Sequence, residues 1–358
     1  MDNIAKLASE LIKFKSIKEN ISERKRIVSF VKTQFKNVPV FIKEFDKNNN
    51  PSIIITLKKE KCPKIFLIGH LDVVLANDSQ FQSKIKDKKL FGRGAGDMKL
   101  ADAVMIEVVK YFAKKKRKLS LGLMLTTDEE TGGFNGVNFL LNNKKYSSKL
   151  AIIPDGGPNL KNIIVNQKGV LHLKLKSFGI SAHASRPFLG QNAIDDLYLK
   201  YLKIRKIIPF TEKNEWKDTM SLGKFYGGEA INKVPDYAEM FIDIRYIKDN
   251  GKKIILKKIS NIVNWELISH GKSLVQSTKN IYLKEFKKLL KSETGDEVFF
   301  SKVEGSSDAR FFSENKIPVI ITRINCGNIH GENEWGDLEE ANIFQDVLKK
   351  FINKICDH

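Results

Sequence analysis

The chain has 358 residues, 42% hydrophobic and 29% charged, enough for two domains and a sizeable core. No apolar run approaches the ~18–20 residues that a bilayer span needs, and the amphipathic opening "MDNIAKLASELIKFKSIKEN" lacks a signal-peptide core, so a cytoplasmic protein is expected. The formal charge of +20 invites a nucleic-acid reading, but the lysines are scattered, with short runs at Lys58–Lys61 and "KKKRK" (Lys114 to Lys118), and no basic–aromatic motif accompanies them. A non-enzymatic basic nucleic-acid binder is the remote alternative.

Short apolar strands alternate with amphipathic helices through the first half. Helices are expected over Asn3–Phe14, Glu23–Phe35, Met98–Phe112 and Phe134–Leu141. Strands are expected in "PSIIITL" from Pro51, "KIFLIGH" ending at His70, "LSLGLMLTT" ending at Thr127 and "KLAIIPD" ending at Asp155. This alternation implies a sheet with helices on both faces. After about Gln167 the grammar changes. The segments "GVLHLKLKSFG", "QNAIDDLYLKYLKIRKI", "DTMSLGKFYGG", "DYAEMFIDIRY", "GKKIILKKISNIV" and "NWELISHG" read β-α-β-β-α-β, the order of a ferredoxin-like insert. From about Ser277 the first grammar returns with "IYLKEFKKLLKS", "KIPVIITRI" and "ANIFQDVLKKFINKI". One catalytic domain (residues 1–167 and 277–358) is thus interrupted by a smaller one (168–276).

Chemistry-bearing residues gather just beyond the strand ends. His70 closes a strand with Asp72 two residues on, a spacing that lets the carboxylate reach the far imidazole nitrogen and fix its tautomer. The glycine-rich "LFGRGAGDMK" delivers Asp97 at the head of a helix, where an N-cap is the plain alternative. The strand ending in "LTTDEETGG" puts Asp128, Glu129 and Glu130 side by side, a crowding that needs a counter-charge. "IIPDGG" adds Asp155 and "CGNIHGENEWG" adds His330. Two histidines and several carboxylates, without thiolate, suit zinc, cobalt or manganese in a catalytic site. Three cysteines, Cys62, Cys326 and Cys356, form no CxxC pair, and a buried structural place is the expectation for Cys326 despite its nearness to His330.

Taken in order, HLD, GRGxxDMK, DEE, PDGG, "SAHASRP", "EGSSDARFF" and a late His followed by NEW resemble the co-catalytic dinuclear zinc metallopeptidases. That family includes aminoacylases, carboxypeptidase G, zinc dipeptidases, acetylornithine deacetylase and succinyl-diaminopimelate desuccinylase. The resemblance spans nearly the whole chain and implies that the insert is a lid or dimerisation domain, with a homodimer as the assembly. It implies that Asp97 bridges two metal ions, with the peptide after it often cis. His70 and Asp155 would complete one ion's ligands, and Glu130 and His330 the other's. Asp72 would orient His70, Glu129 would act as general base, and His183 would supply an oxyanion donor, commonly from the partner subunit. Asn232, Arg245 and Arg310 are the matching substrate-carboxylate anchors. The expected reaction is cleavage of an amide bond beside a free carboxylate, in a dipeptide or an N-acyl amino acid. "SSDARFF" resembles the deacylase branch, whereas Asp rather than Glu in "PDGG" looks like the peptidase branch.

Overall fold

The computed structural model describes residues 3–115, 119–211 and 215–356. The end of the basic run, Lys116 to Lys118, lies outside the described residues. The chain divides into two compact units. The first comprises Met1–Val165, Gln276–Val303 and Ser307–His358, and the second Asn166–Val275 with Glu304–Ser306.

A six-stranded sheet forms the first unit, in the order Phe41–Lys47, Asn50–Thr56, Leu121–Thr126, Ile65–His70, Leu150–Ile153, Val319–Ile321. The last four run parallel, and the first two join as antiparallel partners. Every residue of Ile65–His70, Leu121–Thr126 and Leu150–Ile153 is buried. Such runs are apolar throughout because parallel strands are covered on both faces. Ile53, Ile55, Leu67, Leu123 and Ile152 share one core with the helices Asn3–Ile12, Ile21–Thr33, Leu100–Lys114 and Leu338–Cys356.

The expected strand at Pro51 has an unexpected partner. Phe41–Lys47 pairs with it residue for residue, turned by Asn48 and Asn49 at φ 52° and 60°. A two-residue loop with positive φ at both positions is the favoured hairpin turn, and asparagine tolerates it. The helix expected over Met98–Phe112 starts at Leu100, after a tight turn, Ala95–Lys99, in which the Asp97–Met98 peptide is cis. The helix expected over Phe134–Leu141 is Val137–Asn142. Its start is delayed because Asp128 Oδ2 accepts the Asn135 N–H at 2.7 Å and Asp128 O accepts the Gly133 N–H at 2.7 Å, pinning residues 128–135 as a loop.

A small second sheet of this unit orders Cys326–Gly327, Trp335–Asp337, Lys89–Phe91 and Lys84–Lys86. Strands of two or three residues are too short for periodicity to reveal. Their role is positional: they set the loop carrying His330 beside the turn carrying Asp97, with Gly92 N–H donating to Glu334 O at 2.9 Å.

The second unit is a four-stranded antiparallel sheet in the order Thr219–Gly227, Tyr237–Tyr246, Gly169–Phe178, Asn264–Gly271. With Ala193–Ile207 and Gly251–Ser260 it makes the ferredoxin-like β-α-β-β-α-β arrangement. Along Gly169–Phe178 burial alternates, so Leu171, Leu173 and Leu175 meet the helices' Leu197, Ile204 and Ile259. The opposite face carries cross-strand ion pairs, Lys174–Glu239 at 2.6 Å and Lys176–Glu266 at 2.8 Å.

Candidate metal centre and active site

The four parallel strands place a row of functional groups at their carboxyl ends, the edge where ligands of such sheets collect. Leu121–Thr126 leads to Asp128, Glu129 and Glu130; Ile65–His70 ends on His70; Leu150–Ile153 leads to Asp155; and Val319–Ile321 leads to Arg323. Asp97 arrives from the turn at the head of helix Leu100–Lys114, where Gly94 takes a φ of 83° that a side chain would strain.

These groups converge around the Asp97 carboxylate. Its Oδ1 lies 3.2 Å from His70 Nε2, and its Oδ2 lies 3.3 Å from His330 Nε2. His330 Nε2 is also 3.1 Å from Glu130 Oε1. Two ligand groups result, His70–Asp97–Asp155 and Asp97–Glu130–His330, each with its donor atoms within 4.8 Å of one another. Asp97 belongs to both. That sharing is what a bridging carboxylate between two cations requires.

Asp72 does its work differently from the expectation. The His70 Nδ1–H faces the Asp72 backbone carbonyl at 3.1 Å, while the carboxylate stands 3.6 Å away, beyond a hydrogen bond. The tautomer is fixed either way, leaving Nε2 to face Asp97. The carboxylate instead accepts the backbone N–H groups of Glu129 at 3.3 Å and Glu130 at 3.0 Å. It therefore anchors the acidic loop to the His70 strand.

Charge in the site is unbalanced in a way a cation would correct. Burial tends to lower the His70 pKa, but Asp72 and Asp97 outweigh it and hold it well above the ordinary value. Hydrogen bonds to Asp97 and Glu130 push His330 up to about 10. Burial and then Asp97 push Asp155 up to about 6. Burial and then Asp155 raise Glu129 well above a normal carboxyl. Each of these shifts favours added positive charge among the crowded carboxylates, and the N/O donor set fits a divalent cation. Glu129 accepts no hydrogen bond on its side chain among the described residues, in contrast to Glu130.

Three residues that the sequence reading passed over complete the site. Arg323 forms an ion pair with Asp155 and lies 3.7 Å from Asp97 Oδ1. Glu334 Oε1 accepts the N–H groups of Gly96 at 2.9 Å and Asp97 at 3.1 Å, and its other oxygen takes Arg93 Nη1 at 2.5 Å. Asp308 is buried beside the acidic loop: a Cβ built on Gly133 would stand 1.9 Å from its Oδ1. Cys326 is half-buried, and burial pushes its thiol pKa up.

The expected substrate anchors separate. Arg310 donates to Gly132 O at 2.6 Å and lies 4.5 Å over the Phe311 ring, so its guanidinium braces the loop that follows Glu130. His183 and Asn232 fall in the second unit, on adjoining loops joined by Ala184 N–H to Asn232 O at 2.9 Å. Arg245 belongs to the same unit but sits at the opposite end of Tyr237–Tyr246, roughly 27 Å along the strand from Tyr237. There it makes a bidentate pair with Asp243 at 2.8 and 2.9 Å.

Residues 66–354 match the family described as peptidase family M20/M25/M40. The chain belongs to this family. Its members are hydrolases of amide bonds, and the structure accordingly carries a candidate metal site at His70, Asp97 and Asp155. Among M20 relatives, a succinyl-diaminopimelate desuccinylase of Wigglesworthia glossinidia brevipalpis is 29% identical over 98% of this chain and all of its own length. The aminopeptidase PepT of Bacillus cereus matches the fold with a TM-score of 0.80 at 18% identity, covering 99% of this chain and 98% of its own. A Bacillus subtilis M20 protein described as a dinuclear metal-binding peptidase matches at TM-score 0.70 and 12% identity, covering 99% and 98%. No described helix is long and apolar enough to cross a membrane.

Proposed function

We propose that this M20 hydrolase cleaves the amide bond of a dipeptide or an N-acyl amino acid bearing a free carboxylate, with Glu129 as general base. One observation carries the reading: two ligand groups share Asp97, and the Glu129 carboxylate, buried near Asp155, accepts no hydrogen bond among the described residues. His70, Asp97 and Asp155 would hold one divalent ion and Asp97, Glu130 and His330 a second, zinc being the expected metal with cobalt or manganese as alternatives. Bound there, the ions would supply Lewis acidity to the scissile carbonyl and acidity to a water.

The chain's own residues handle the proton. Glu129, its affinity for a proton raised by burial and by Asp155, takes it from the attacking water and returns it to the leaving nitrogen. Asp72 holds the Glu129 and Glu130 backbone so that the two carboxylates keep separate tasks.

His183 is the proposed oxyanion donor. The Ser185 N–H donates to its Nδ1 at 3.2 Å, so the proton of the neutral ring sits on exposed Nε2, ready to donate. A homodimer through the second unit would let this histidine serve a neighbouring subunit's site. Asn232, which shares the His183 edge, and Arg310 are the proposed contacts for the substrate's carboxylate, whereas Arg245, paired with Asp243 at the far end of its strand, is not placed to join Asn232 on the same group.

The relatives favour a second choice of acyl group. A succinyl-diaminopimelate desuccinylase-type or acetylornithine deacetylase-type activity uses the same machinery on an N-acyl amine, and the 29% identity over 98% of the chain supports it. The deciding experiment is a screen of dipeptides against N-succinyl, N-acetyl and N-formyl amino acids with zinc, cobalt or manganese added. Metal-dependent release of a free amine is the expected result. Complete inactivity across all classes with both metal positions filled would overturn the proposal.

A further inference from the structure

We propose that Arg323 is a standing counter-cation of one ligand group, which makes the two metal positions unequal: the ion at Asp97–Glu130–His330 binds tightly, and the ion at His70–Asp97–Asp155 binds against a resident guanidinium. This rests on the functional reading above, because it takes both ligand groups as cation sites.

The asymmetry is written on Asp97 itself. Its Oδ2 faces His330, which also faces Glu130. Its Oδ1 faces His70, with Arg323 Nη2 at 3.7 Å, and that same Nη2 pairs with Asp155 Oδ1. One guanidinium therefore serves both carboxylates of the first group. It comes from the fourth parallel strand's carboxyl end, so the sheet positions it as firmly as the ligands themselves.

Arg323 is buried, and its Nε is unpaired among buried atoms. A guanidinium stays charged at every working pH, so its charge cannot be shed when a cation arrives. A divalent ion at the first group must either displace Arg323 from Asp155 or share the carboxylate with it, and like charges in a buried site repel strongly. Among the described residues no arginine or lysine pairs with the Glu130 carboxylate, whose ion-pair partner is His330. The first ion therefore enters at Glu130–His330 and the second follows with weaker affinity.

Calorimetric titration of the metal-stripped full chain with Zn2+, at one pH and with a competing chelator, tests this. The wild-type chain should take up two ions in steps whose affinities differ by about tenfold or more. Arg323→Gln should tighten the weaker step by about tenfold with little change in the stronger, and Arg323→Lys, which keeps the charge, should stay near wild type. His330→Ala should abolish the stronger step. Two equal sites in the wild type, or an unmoved weaker step in Arg323→Gln, would overturn the inference while leaving the hydrolase reading intact. The wild-type steps and the lysine variant carry the test if the glutamine variant fails to fold. A wild-type chain that bound no zinc would overturn both.

Discussion

Glu130 and His330 stand 200 residues apart in the chain and 3.1 Å apart in the site. The contact exists because two short strands, Trp335–Asp337 and Lys89–Phe91, pair and carry the His330 loop to the sheet edge. Asp97 completes that group, so truncating the shared residue should cost more metal than truncating a terminal one. Asp97→Ala is expected to lose both ions and His330→Ala one, read as metal per chain by elemental analysis after dialysis. Full two-metal content in Asp97→Ala would remove its bridging role.

Glu129 differs from Glu130, which bonds His330, in that its carboxylate has no hydrogen-bond partner among the described residues. Glu129→Gln should therefore keep its metal and its melting temperature while amide hydrolysis falls by about 10²–10⁴-fold, the usual worth of a general base. Turnover close to wild type at equal metal content would reassign the base.

His183 is exposed, and among the described residues its ring hydrogen-bonds only with Ser185. His183→Ala should lower kcat by about 10²–10³-fold, the scale for one oxyanion donor. Metal content should not change. If only KM moved, the residue would be a binding contact and not a transition-state donor.

The legible part of this molecule was the part governed by long patterns. Buried parallel strands read as apolar runs, and the residues at their ends, His70, Glu129, Glu130 and Asp155, stand out because polar groups there are costly unless used. The hairpin partner Phe41–Lys47 escaped because it is an edge strand with no fully buried residue, although the Asn48–Asn49 turn signalled it. Arg323 escaped for another reason. The strand "KIPVIITRI" is legible, but a basic residue at its end does not look like a ligand, and only the pairing with Asp155 reveals its place. Glu334 acts through backbone N–H groups, which leave no trace in side-chain spacing.

Asp308 gives a prediction in pH. Burial and then Asp128 push its pKa up to about 7, with Arg310 opposing. An unfolded Asp titrates near ~3.9, so from about pH 4 to 7 the folded protein holds a proton that the unfolded chain has released. Stability contributed by this group therefore falls as pH rises through that window and is level above it. Asp308→Asn removes the effect, and between pH 5 and 8 the metal-free variant should lose about 2–3 kcal/mol less stability than wild type. Urea midpoints at the two pH values measure it, and parallel pH profiles would mean the carboxyl is not held protonated.

Glu334 ties the two halves of the metal centre together. Its carboxylate holds the Asp97 N–H at 3.1 Å and Arg93 Nη1 at 2.5 Å, while Arg93 Nη2 donates to His330 O at 3.0 Å. The pair is buried on both sides, so neutralising one member leaves an uncompensated charge and should cost about 3–5 kcal/mol. Glu334→Gln should accordingly melt lower. It should also weaken the stronger zinc step by about 10–100-fold, because Asp97 and His330 lose the brace that aligns them. The two readouts separate the roles. A lower melting temperature with unchanged zinc affinity would make Glu334 a structural anchor alone, whereas a shift in both places it in the support of the metal centre.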